Sequence, residues 1–117
     1  MTELVISLGS GKGTWAYLIE LIKAEPWDRV VVVTNSFGAE RFSVEGRELC
    51  FVVIDERRKM RLLVEDIKKQ LELSGPEVAL SMVSGEGKLH MAMLSALLKS
   101  GLGIRLVGMK ERRASEL

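Results

Sequence analysis

The chain has one cysteine, Cys50, and one histidine, His90. One cysteine excludes an internal disulfide, and one imidazole leaves too few soft ligands for a zinc site built within one chain. Charge of one sign is also missing: 17 Lys and Arg stand against 16 Asp and Glu, for a net charge of +1. General attraction to duplex nucleic acid or to a membrane surface is therefore not expected, and any anion site must be local. No apolar run approaches the ~18 residues of a membrane span, and Met1-Thr2-Glu3 is not the start of a secretory signal. The expected compartment is the cytoplasm. What remains is 117 residues, 47% apolar and 28% charged. That is a globular composition for one domain, able to bury roughly two-thirds of its unfolded surface.

Apolar spacing divides the chain into alternating strands and helices. A strand is predicted over about 3–9, too apolar to be half exposed, and then a helix over about 13–25 that stops before Pro26. Trp15, Leu18, Ile19 and Ile22 share one stripe of that helix. Val30-Val31-Val32-Val33-Thr34 is the strongest strand signal, β-branched and uninterrupted. Arg41-Phe42-Ser43-Val44 and Glu48-Leu49-Cys50-Phe51 flank Glu45-Gly46-Arg47, which suggests a small hairpin or an extended excursion. Phe51-Val52-Val53-Ile54 gives a third buried strand, with Cys50 expected in the core. A helix over about 56–73 carries Met60, Leu63, Val64, Ile67 and Leu71 at helical spacing, and Ser74-Gly75-Pro76 stops it. A strand over 78–83, a helix over about 88–100 and a strand over 104–109 follow. This order predicts an α/β fold: a three-layer Rossmann-like sandwich on a mostly parallel sheet of about five strands in order 3-2-1-4-5. Residues 1–109 form its single domain, and 110–117 are a charged tail expected to fray.

Two glycine loops stand out. Gly9-Ser10-Gly11-Lys12-Gly13-Thr14 follows the first strand, and Ser84-Gly85-Glu86-Gly87-Lys88 follows the strand at 78–83. In the 3-2-1-4-5 order the chain reverses direction between those two strands, and ligands bind at the carboxyl ends of strands at that reversal. The two loops should therefore lie side by side. Their glycines admit a ligand to the backbone, Lys12 and Lys88 supply point charges, and the hydroxyls of Ser10, Thr14 and Ser84 can bond phosphate or ribose. The loops fail the familiar tests taken singly. Ile6 stands where the first Walker glycine belongs, and Gly13 rather than Ser or Thr follows Lys12. Thr14 takes the place of the third dinucleotide-fingerprint glycine, and Asn35, not an acid, ends the second strand.

These residues resemble the CRISPR-associated Rossmann fold, or CARF, domain, the sensor of cyclic oligoadenylates in type III CRISPR systems. The likeness lies in Leu8-Gly9-Ser10, in Val83-Ser84-Gly85-Glu86-Gly87-Lys88, in Met91-Ala92, and in the Gly101 turn into the last strand. Ser84, Gly85 and Lys88 match the Thr-Gly-Gly-Thr-Lys-like loop of that family, while Glu86 and Gly87 replace its second glycine and its threonine. The resemblance implies a homodimer with a cyclic oligoadenylate, or another phosphate-bearing nucleotide, across the twofold axis. It implies binding through Gly9, Ser10, Gly11, Lys12, Thr14, Ser84, Gly85, Gly87 and Lys88. If the ring is cleaved, the metal-independent ring nucleases of the family point to Ser10 and Lys88 as the catalytic pair, with no metal and no cofactor. Two alternatives stand beside it: a non-catalytic Rossmann-like interaction domain whose loops are ordinary turns, and a P-loop-like nucleotide-binding protein.

Several other residues stand out singly. Arg57, Arg58, Lys59 and Arg61 form either a solvated face or an anion-steering patch. His90 suits capping, packing or reaching the cleft, and Glu86 is placed to cap the helix after it. Trp15 and Tyr17 are read as core or stacking residues, and Met82, Met91, Met93 and Met109 as core filler.

Overall fold

The computed structural model describes residues 2–117. Its centre is set by β1 (Glu3–Ser7), β2 (Arg29–Thr34) and β4 (Glu77–Ser81), which are apolar on both faces. β1 runs parallel to both neighbours, with Val5 opposite Val31 on one side and Leu80 on the other. Such strands must be covered twice, and each β-branched or leucine side chain gains about 1.5–3 kcal/mol on burial. On one face Val5, Val31, Val33 and Leu80 pack under α3 (Met60–Gln70) and α4 (Gly87–Lys99). On the other, Leu4, Ile6, Val30 and Val32 pack under α1 (Trp15–Ala24), Trp27 and Phe42. With β3 (Cys50–Val53), β5 (Gly103–Lys110) and β6 (Arg113–Glu116) the sheet order is β3-β2-β1-β4-β5-β6. This is the expected Rossmann-like sandwich, with the first five strands in the expected order.

The sixth strand corrects the reading of the tail. Residues 113–116 do not fray but pair antiparallel with β5, from Lys110 opposite Arg113 to Val107 opposite Glu116. The reversal between them uses Glu111 and Arg112, both at positive φ (50° and 67°), the geometry of a tight type I′ hairpin turn. Of the small hairpin or extended excursion expected over 41–51, the described residues keep only a tight turn centred on Gly46. A short helix, α2 (Ser36–Arg41), takes up the start of that segment, and only a single bridge joins Val44 to Arg47 around Gly46. Asn35 caps α2 by accepting the Gly38 N–H, and Phe42 turns inward, edge-on to Trp15 at 5.5 Å. Cys50 is exposed rather than buried, because it opens an edge strand. Met91 is also exposed, at 61%, on the outer side of α4.

Helix ends differ from their expected positions where side chains intervene. α3 begins at Met60 because Asp55 folds the preceding residues into a turn, accepting the Arg57 N–H on its carboxylate and the Arg58 N–H on its carbonyl. It ends at Gln70, whose side-chain amide turns to the edge of β3, donating to the Val53 carbonyl and accepting from the Val53 N–H. Beyond it, Glu3 holds the loop into β4. Its Oε1 accepts from the N–H groups of Ser74 and Gly75 at 2.9 and 3.0 Å, and the residue is 4% exposed. Glu3→Gln keeps an acceptor but loses the charge that strengthens both bonds, so we expect a loss of about 1–2 kcal/mol. Urea denaturation checks it, and unchanged stability would mean the carboxylate is not holding the loop.

Candidate functional site

β1 and β4 end side by side, so the loops that follow them are forced together. Ser84 joins them. Its Oγ accepts the Gly9 N–H at 2.9 Å, and its carbonyl accepts from the Ser7 hydroxyl at 2.6 Å. His90 Nε2 meets the same carbonyl at 2.7 Å. A carbonyl only accepts, so this imidazole carries a proton on Nε2. His90 does not line the cleft; its hydrogen bond makes it a brace behind the loop, a role the sequence reading did not include. Gly9 and Gly85 then pack backbone to backbone: a Cβ on Gly9 would lie 2.8 Å from Gly85 Cα. Gly85 itself sits at φ +94°, a conformation that favours glycine. Trp15 Nε1 donates to the Gly9 carbonyl at 3.0 Å, so its indole anchors the first loop while its ring serves the core. Tyr17 points its hydroxyl to the Met109 N–H instead of to the loops.

Behind this junction opens a cleft of about 420 Å³ at the carboxyl ends of the strands. Of the residues singled out in the sequence, Gly9, Ser10, Gly11, Thr14, Ser84, Gly85 and Lys88 line it. Lys12 and Gly87 are not in its lining. Lys12 belongs to a 3₁₀ turn over Lys12–Thr14 and holds its ammonium 5.5 Å from the Trp15 ring centroid. Gly87 is the first residue of α4, and Glu86 before it occupies the cap position without making a side-chain cap bond. The first N–H groups of α4 are thus left without an acidic cap at the rim of the cleft, a favourable place for an anion.

Two polar lining residues lie outside the two glycine motifs, Asn35 and Glu56, and Glu86 of the second motif joins them in the lining. Asn35 Nδ2 donates to Glu56 Oε1 at 3.0 Å, and Lys88 Nζ donates to the Glu56 carbonyl at 2.9 Å. The side-chain charges in the lining are therefore one ammonium against two carboxylates. The basic run after β3 adds little to that balance. Arg57 hydrogen-bonds Asp55 at 3.0 Å and holds that carboxyl below its ordinary range, while Arg58 pairs with Asp66 at 2.8 Å. Neither residue lines the cleft, nor does Lys59 or Arg61. Among the described residues no three His, Cys, Asp or Glu side chains are grouped to hold a metal ion, and no helix is long and apolar enough to cross a membrane.

The fold and this crevice define a class: a Rossmann-like α/β protein with a cleft between two glycine turns at the switch point of its sheet. Neither the scan of family models nor the search of curated proteins finds a match for the chain.

Proposed function

We propose that this protein binds a phosphate-bearing nucleotide in the cleft, and that a cyclic oligoadenylate is the ligand to test first. The observation that carries the reading is the joined pair of glycine turns, Gly9 against Gly85, with Ser10 and Lys88 in the same lining. Turns without side chains bring backbone N–H groups within reach of phosphate oxygens, and the start of α4 adds the positive end of a helix dipole. The CARF resemblance supplies the ligand class and a role in CRISPR defence in the cytoplasm. It also supplies the homodimer, in which two copies of the loops would meet the repeated phosphates of one ring. Met91 and Leu98 are uncharged and 61% and 62% exposed on the outer side of α4. Such a surface is what a twofold partner would bury.

Ring opening is the reaction this arrangement suits. The ribose 2′-OH gives up its proton to water and attacks the adjacent phosphorus, the bond from phosphorus to the 5′ oxygen breaks, and a 2′,3′-cyclic phosphate and a 5′-hydroxyl that takes its proton from water remain. Ser10 would hold the phosphate in line, and Lys88 would offset the charge that builds on it. For that, Lys88 Nζ, with three N–H donors, adds a bond to the ligand beside the one it makes to the Glu56 carbonyl. The second reading, a non-catalytic interaction domain, is favoured by the two carboxylates Glu56 and Glu86 in the lining.

Cyclic tetra-adenylate separates the two. Under the first reading it raises the melting temperature, and Lys88→Ala weakens binding by about 1.5–3 kcal/mol, the worth of a charge-assisted hydrogen bond. No shift at saturating ligand leaves the interaction domain. Incubation of labelled ring with protein and chelator then reads cleavage directly.

A further inference from the structure

Asn35 ends β2, the place where a dinucleotide-binding sheet carries the acid that reads a ribose. Here the amide has a different task. Its Oδ1 accepts the Gly38 N–H at 3.0 Å, which fixes the orientation of the group and turns Nδ2 to Glu56 Oε1 at 3.0 Å. From the opposite wall Lys88 holds the Glu56 backbone carbonyl. Glu56 is thus tied to the end of β2 and to the start of α4, and it lines the cleft. Its second carboxylate oxygen has no protein partner among the described residues. A carboxylate beside glycine turns repels an anion bound there. The arrangement becomes favourable when the same ligand also presents hydrogen-bond donors, because an ionised carboxylate only accepts.

We propose that Glu56, steered by the Asn35 amide, accepts the ribose hydroxyls of the nucleotide in this cleft and makes the site selective for ribonucleotides over deoxyribonucleotides. The inference rests on the nucleotide reading above. Asn35 and Glu56 together take the part that one acid at the end of β2 plays elsewhere: the strand end supplies the aim, and the loop after β3 supplies the charge.

The test titrates wild type and Glu56→Gln with 5′-AMP, 2′,3′-dideoxy-AMP and inorganic phosphate by calorimetry. Wild type is expected to bind AMP about tenfold or more tightly than the dideoxy nucleotide, the scale of a lost charge-assisted hydrogen bond. Glu56→Gln removes the acceptor charge and the repulsion at once, so its effects differ in sign. AMP weakens severalfold, while the dideoxy nucleotide and phosphate bind equally well or more tightly. Glu56 is exposed, so the variant keeps its fold, and a thermal melt verifies that. Equal wild-type affinity for the two nucleotides, or a variant that weakens both alike, overturns ribose reading and leaves nucleotide binding standing. If wild type binds neither AMP nor phosphate while cyclic tetra-adenylate still raises its melting temperature, ribose reading is overturned and the ring-ligand reading stands; if cyclic tetra-adenylate gives no shift either, the nucleotide reading itself falls and takes this inference with it.

Discussion

Gly38→Ala is expected to cost about 3 kcal/mol of stability, although alanine is the better helix former by ~1 kcal/mol. Gly38 is buried in α2, and a Cβ there would overlap the Thr34 hydroxyl while standing 3.1 Å from Thr34 Cβ and 3.2 Å from Leu8 Cδ2. None of these atoms can give way cheaply. Thr34 is fully buried at the end of β2, its χ1 is restricted by branching, and its hydroxyl donates to the Leu8 carbonyl at 2.9 Å. The added methyl must break that bond or displace α2 from the sheet. Urea denaturation measures the loss, and the paired variant Thr34→Ala identifies its cause. If the hydroxyl is the obstacle, the double variant is more stable than the sum of the two single losses predicts. Strict additivity would place the strain elsewhere.

Gly9→Ala should cost about 1–3 kcal/mol and remove nucleotide binding together with it. The obstacle is backbone: Gly85 Cα at 2.8 Å and Gly85 N at 2.9 Å from the new Cβ, neither of which can rotate away as a side chain would. Separating the loops also breaks the Gly9–Ser84 hydrogen bond and pulls on the Trp15 anchor. The same loop contains its own controls. A Cβ on Gly11 or Gly13 meets nothing within 4 Å, so alanine at either position should stay within about 0.5 kcal/mol of wild type. Denaturation and the cyclic tetra-adenylate melt are run on all three. Equal losses at 9, 11 and 13 would show that the junction is not the fixed point of the cleft.

The architecture was readable because buried parallel strands leave a plain mark. Val30–Val33 and the runs at 4–8 and 78–80 have no polar alternation, and α3 and α4 keep one apolar stripe each. Meeting of the two glycine loops followed from topology alone. What stayed hidden was decided by single contacts. α2 is six residues long, too short for periodicity, and its only sign was Asn35 as a cap ahead of Ser36-Phe37-Gly38. Phe42 and Val44 look like strand residues because they are buried beside Trp15, which needs apolar side chains but no ladder. β6 was masked by its charge, since an edge strand beside solvent does not need an apolar pattern. Within the site, the partnership of Asn35 with Glu56 spans 21 positions and depends on one amide orientation. Lys12, by contrast, was drawn into the site by its charge and is claimed instead by the Trp15 ring.

The amide of Gln70 on Val53 bears on how copies of this protein can associate. Any sheet with two open borders can in principle extend without limit, one molecule adding to the next. Here one border is plugged: a strand arriving at β3 finds the N–H and carbonyl of Val53 already engaged. The other border is β6. The Gln70 amide thus shields the Val53 end of β3 from an incoming strand, a side-chain guard on an otherwise open sheet edge.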